Sequence, residues 1–123
     1  MTFPTPGRPV RGSRSGFPIM ALLDLLGRRW AMGILWTLCR DGAGTFRELQ
    51  ARCGGISPTV LNTRLKELRH AELVELTDAG YSATPLGREL YAVLEPLKDW
   101  SNTWARALAG KPASAPRGKK GPA

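Results

Sequence analysis

The stretch that most restricts the fold is residues 57–76, SPTVLNTRLKELRHAELVEL. Ser57 is a good helix N-cap, and Pro58 lacks only the N–H that a first helical residue leaves unpaired in any case, so a helix starts at 58 and runs to about 70. At 100° per residue Leu61, Leu65 and Leu68 fall within about 60° of one another and face a core. The opposite side carries Thr59, Asn62, Thr63, Lys66 and, one turn later, His70. A merely solvated face is ordinarily filled with Glu, Lys, Arg and Gln, which favour helix. Thr59, Asn62 and Thr63 are poor helix formers with short donors and acceptors. The outer face is therefore either ordinary solvated surface or a face kept for a partner.

The neighbouring elements narrow that choice. PIMALLDLLG gives a short helix from Pro18 that stops at Gly27, and RRWAMGILWTLCRDG a second, with Trp30, Ile34, Leu35 and Leu38 at helical spacing before Gly42 ends it. Thr45, with Glu48 three residues on, has the capping-box pattern and opens a third helix, FRELQARCG, whose buried side is Phe46, Leu49 and Cys53. After the fourth helix, LVELTDAGYSAT reads as a hairpin, Leu73 to Leu76 and Tyr81 to Thr84 around TDAG. Helix restarts at Pro85 and continues to Gly110, about 24 residues or roughly 36 Å if unbroken, with a kink expected at Pro96. Such a rod is longer than so small a core needs. The expected class is mainly α with a small β-hairpin, a winged helix-turn-helix with a long C-terminal helix.

In that fold the third helix positions the fourth in the DNA major groove. Thr59, Asn62, Thr63 and Lys66 are then the expected base-reading residues on double-stranded DNA; Asn62 is the best single candidate, because an amide pairs bidentately with adenine, and Lys66 can reach a guanine edge or a phosphate. Phosphates are expected against Ser57 and the N–H groups at the helix start, against Arg47, and against Arg64 and Arg69 on the flanks.

Charge and length agree with one such domain. The chain has 123 residues, 42% of them apolar, and a formal net charge of +8. Arg8, Arg11, Arg14, Lys111, Arg117, Lys119 and Lys120 supply seven of those charges from two Gly/Pro/Ser/Ala-rich ends, so residues 1–16 and 111–123 are expected to be disordered basic arms around a domain at 17–110. Within the domain, residues 47–70 carry an excess of +3 and residues 71–99 an excess of −4. The positive third holds the fourth helix. No apolar run approaches the roughly 18 residues that span a bilayer, so a cytoplasmic protein without membrane contact is expected. Cys39 and Cys53 lack a C-x-x-C pair or histidine partners, which suits buried thiols in a reducing compartment, with a redox-sensing pairing of the two as the alternative, and no metal or cofactor is expected. His70 is the only histidine, and no catalytic triad, paired carboxylates or phosphate-binding Gly loop can be assembled, so an enzyme is not expected.

LLGRRWAMGILWTL, TFRELQARCGGISPTVLNTRLKELRHAELVE and YSATPLGREL together resemble the HxlR-type transcriptional regulators, bacterial winged-helix dimers related to the MarR group. The likeness covers about residues 17–100 and rests on Gly27 to Trp30, Phe46 to Leu49, Gly55 to Leu68 and Thr84 to Gly87 as a set. It implies a homodimer built from the first and last helices, the last serving as the dimerisation helix, on a pseudo-palindromic operator and often tuned by a reactive thiol or a small molecule. Two departures matter. Many members carry a Cys-Pro sensor before the first helix, where this chain has Phe17-Pro18, and the wing is short and acidic, with Glu75 and Asp78. Trp30, Trp36, Trp100 and Trp104 fit either a pocket for a small apolar or aromatic effector or the dimer core. The function expected is a repressor; the alternative is a winged-helix protein interaction module whose DNA affinity comes from its tails.

Overall fold

The computed structural model describes residues 3–10 and 14–110; the expected tail at 111–123 and Arg11 lie outside the described residues. In chain order the elements are α1 (Pro18–Leu26), α2 (Ala31–Asp41), α3 (Phe46–Cys53), α4 (Pro58–His70), β1 (Val74–Thr77), β2 (Gly80–Ala83) and α5 (Pro85–Ala109). This is the winged helix-turn-helix order that the sequence predicts. The chain divides into two compact units, Met1–Tyr91 and Ala92–Ala123.

The first unit is built on the leucine faces. Ile34, Leu35 and Leu38 of α2, Leu49 of α3 and Leu61, Leu65 and Leu68 of α4 are almost fully buried, and Leu25, Ile56, Leu73, Val74 and Ala83 complete the cluster. Each of the Leu, Ile and Val side chains contributes about 1.5–3 kcal/mol by leaving water. The helix ends follow local chemistry. The Thr45 hydroxyl accepts from the Glu48 N–H at 3.1 Å, and the Glu48 carboxylate accepts from the Thr45 N–H at 2.9 Å, a complete capping box for α3. Trp30, just before α2, holds a left-handed φ of 78°, which a bulky residue adopts only when its surroundings impose it; its ring packs against the core.

The hairpin sits one residue nearer the turn on both strands than the sequence predicts. Thr77 pairs with Gly80, so Asp78 and Ala79 alone form the turn. Thr84 leaves the ladder because its hydroxyl donates to the Glu72 carbonyl at 2.7 Å and accepts from the Gly87 N–H at 3.0 Å, which makes it the cap of α5. Pro85 follows in the first helical position. Gly87 is required by packing: a Cβ there would collide with the Leu73 carbonyl. The Thr-Pro-Leu-Gly run is thus a cap, a helix start and a close approach. On the other edge of the hairpin, Gly44 and Tyr81 exchange both backbone hydrogen bonds, at 2.9 and 2.8 Å, so the α2–α3 loop adds a single-residue rung to β2.

The described part of the N-terminal arm runs along the first unit. Phe3 stacks on His70 with ring centroids 4.3 Å apart, and the Gly7 N–H donates to the Gly16 carbonyl at 2.9 Å. The expectation of a disordered arm over 1–16 rests on its Gly, Pro and Ser content and its scarcity of apolar surface, and Phe3 is one of the few apolar side chains in that stretch. In the second unit Val93, Leu97, Trp100, Trp104 and Leu108 are all exposed. Their spacings of four, three, four and four residues put them on one helical stripe. Pro96 stands inside α5 without ending it.

Candidate nucleic-acid interface

The helix-turn-helix is made by α3, Gly54-Gly55-Ile56-Ser57 and α4. Gly54 and Gly55 have φ of 54° and 77°, left-handed values that glycine adopts without steric cost. Ile56 then turns into the core, and Ser57 caps α4 by accepting from the Val60 N–H at 3.1 Å. With the Pro58 ring holding the first turn, the start of α4 is set by local sequence.

On α4, Thr59, Asn62 and Lys66 are exposed and Thr63 is half-buried. At 3.6 residues per turn the four side chains share an arc of about 100°, centred opposite Leu61, Leu65 and Leu68. Arg47, in the first turn of α3, and Arg69, in the last turn of α4, are exposed as well. His70 ends the polar stripe, where Phe3 covers it; Phe3, Lys66, Arg69, His70 and the edge of β1 from Val74 to Leu76 line an open groove of about 650 Å³. The wing carries Glu75 and Asp78, both exposed.

Arg64, expected beside a phosphate, is turned inward. Its Nε donates to the Arg29 carbonyl at 2.7 Å and its Nη1 to Glu67 Oε1 at 3.0 Å. The second oxygen of Glu67 accepts from Arg28 Nη1, and Arg28 Nη2 reaches Asp24 at 3.3 Å. Glu67 is 2% exposed, and the Arg28 and Arg64 side chains are 14% and 20% exposed. This cluster escapes a reading by charge totals. The available signal was Glu67 between Leu65 and Leu68, beside the apolar face and three residues after Arg64. Arg52, another basic residue of the positive third, is also occupied, donating to the Gly42 and Ala43 carbonyls at 2.9 and 3.3 Å.

The tryptophans fall into two settings. Trp30 packs against the core of the first unit, and Trp36 meets Tyr91 edge-on at 4.7 Å. In the second unit Trp100 and Trp104 lie nearly parallel, 6.4 Å apart and more than half exposed. Cys39 and Cys53 are free thiols. Burial raises both pKa values, while Arg88 near Cys39, and Arg52 with a Thr37 hydrogen bond near Cys53, pull the other way. Phe17, at the position of the expected Cys-Pro sensor, is exposed. Among the described residues no group of His, Cys, Asp and Glu forms a metal site, and no helix is long and apolar enough to cross a membrane.

A helix-turn-helix with an exposed polar face on its second helix, flanked by a two-stranded wing, defines a winged-helix protein of the DNA-binding class. The profile of the HxlR-like helix-turn-helix family matches residues 25–109, and the chain belongs to that family. The HTH-type transcriptional regulator YybR of Bacillus subtilis is 30% identical over 98 residues, 74% of this chain and 78% of YybR. Among solved structures, quinone-bound YodB of B. subtilis is similar with a TM-score of 0.65 and 34% identity, covering 69% of this chain and 96% of YodB. A MarR-family regulator from Enterococcus faecalis is similar at a TM-score of 0.67 and 26% identity, covering 81% and 96% of the two chains. The protein is a DNA-binding transcriptional regulator.

Proposed function

We propose that this regulator is a cytoplasmic homodimeric repressor that reads a pseudo-palindromic operator through α4. Thr59, Asn62, Thr63 and Lys66 meet base edges, and Ser57, Arg47 and Arg69 meet phosphates. Arg64 supports α4 from inside. The observation that carries this reading is the exposed arc of short polar side chains on α4, opposite its buried leucines. Side chains of that length on a helix that enters the major groove have the reach and the donor and acceptor pattern for base readout.

The dimer is supported by two uncovered apolar faces: Ile19 and Leu23 on α1 with Phe17 just before it, and Val93, Leu97, Trp100, Trp104 and Leu108 on α5. A soluble chain that leaves a regular apolar helical stripe exposed ordinarily covers it with a partner. Trp100 and Trp104 belong to that dimer core. Release by a small aromatic or apolar effector is the regulation proposed, in keeping with the quinone carried by YodB; Phe17 at the sensor position and the raised thiol pKa values favour non-covalent capture.

The test is Asn62→Ala, measured on a duplex enriched by the wild-type protein from a random-sequence library. Affinity falls by about 1–3 kcal/mol and preference relaxes at one base position. Equal weakening on enriched and random duplexes would remove Asn62 from the bases. Because Glu75 and Asp78 make the wing acidic, failure to enrich any sequence would favour the protein interaction module instead.

A further inference from the structure

We propose that Glu67, held between Arg28 and Arg64, is a positioning residue for DNA sequence recognition: it fixes the roll of α4 about its own axis. The proposal rests on α4 being the reading helix. Three observations support it. The Glu67 carboxylate is buried and uses one oxygen for each guanidinium, Arg28 from the α1–α2 turn and Arg64 from α4 itself. Arg64 is tied by its Nε to the Arg29 carbonyl, in the same α1–α2 turn, so the helix is gripped at two side chains one turn apart. Arg28 is held in turn by Asp24 of α1.

The placement relative to the reading face gives this grip its consequence. Glu67 follows Thr63 by one turn and lies about 40° round the helix from it, on the edge of the polar arc. The leucines on the far side resist separation of α4 from the core, but apolar contact is non-directional and tolerates small rotations. Charge-assisted guanidinium–carboxylate bonds depend on direction. With side-chain tips about 5–6 Å from the axis, a roll of about 20° carries Asn62 and Thr63 about 2 Å sideways, beyond the reach of a hydrogen bond. Stability alone is a poor explanation of the cluster, because buried ion pairs are often matched or exceeded by apolar side chains of similar volume. The Arg28 Nε, buried with no hydrogen-bond partner among the described residues, is consistent with a cluster that carries an energetic cost.

The experiment uses the full chain, the duplex enriched by wild type and a random duplex of equal length. Glu67→Gln keeps the shape but cannot accept fully from both guanidiniums. Its preference for the enriched duplex falls at least tenfold, while affinity for random duplex changes less than twofold. The double variant Arg28→Met/Glu67→Leu fills the space of that ion pair with apolar side chains, leaves Arg64 on the Arg29 carbonyl and Asp24 its charge, and loses preference in the same way; its melting curve shows that it folds, and it serves as the reading if Glu67→Gln does not fold. Full preference in the folded double variant overturns the positioning role while leaving α4 as the reader. Parallel loss on both duplexes overturns it too, since that is the mark of a purely structural role. A wild-type protein that enriches no sequence overturns both readings together.

Discussion

Gly87→Ala separates two physical expectations of opposite sign. Gly87 lies in the first turn of α5, where helix propensity alone favours alanine by about 1 kcal/mol. The structure puts the Leu73 carbonyl where the new Cβ would go, with Leu35 Cδ1 next at 3.4 Å. The obstacle is backbone, which cannot swing aside as a side-chain tip can. The same carbonyl accepts the Thr84 N–H at 3.1 Å, and Leu73 itself is buried, so relief of the clash displaces the junction between β1 and α5. Overpacking of this kind costs about 1–3 kcal/mol, and a weakened backbone hydrogen bond about 1 kcal/mol more. Against the propensity gain the net loss is about 1–3 kcal/mol, which for a domain of this size lowers the thermal midpoint by about 4–8 °C per kcal/mol. Gly33→Ala is the matched control: also inside a helix, α2, it has nothing within 4 Å of the added methyl and should be stabilised by about 0.5–1 kcal/mol. Circular dichroism melts of both variants give the answer. A rise in midpoint for Gly87→Ala comparable to that for Gly33→Ala would refute the close approach at Leu73.

Thr84→Val removes both the α5 cap and the bond to the Glu72 carbonyl and should cost about 1–2 kcal/mol in urea unfolding; an unchanged midpoint would argue against the cap. Trp100→Ala/Trp104→Ala should shift sedimentation from dimer to monomer, since buried aromatic anchors at an interface are worth about 2 kcal/mol or more each; a variant that sediments as the wild type does would place the dimer contact elsewhere. Burial raises the Cys39 and Cys53 thiols above 9.0 in the folded chain. Their contribution to stability is therefore complete below the unfolded thiol's pKa and is lost as pH climbs through the folded value; a Cys39→Ala/Cys53→Ala variant should show a shallower fall in urea midpoint above pH 9.0, and an equal fall would contradict it. Deleting residues 1–16 and 111–123 should reduce the salt slope of DNA binding by up to about 0.9 for each phosphate that the arms neutralise and leave sequence preference in place; loss of preference would make the tails readers.

Local rules carried most of the fold. Ser57-Pro58 and the Thr45/Glu48 box each start a helix through bonds made within a few residues, and each is found in place; the helix start at Pro85 is found too, capped by Thr84, which strand propensity had put in the hairpin. Leucine periodicity identified the buried side of α4 for the same reason. The hairpin ends were displaced because Thr84 bonds to Glu72, an interaction across twelve residues that strand propensity does not contain. The geometry of the candidate interface was less accessible. Arg64 has the flanking position of a phosphate ligand, and nothing near it in sequence shows that the Arg29 carbonyl lies 2.7 Å from its Nε. Glu67 disappears into a regional charge total although it is 2% exposed. Phe3 has no periodicity to announce it, yet it stacks on His70 at the end of the polar arc. What was missed is tertiary contact between charged or aromatic groups far apart in the chain.

The most direct test of the central claim is fluorescence anisotropy of the purified full-length protein on DNA from upstream of its own gene, against random duplex of equal length at two salt concentrations. A regulator that reads sequence through α4 should prefer the upstream duplex by about a thousandfold or more. Equal and steeply salt-dependent binding to both would show contact through charge alone and contradict base reading by Thr59, Asn62, Thr63 and Lys66.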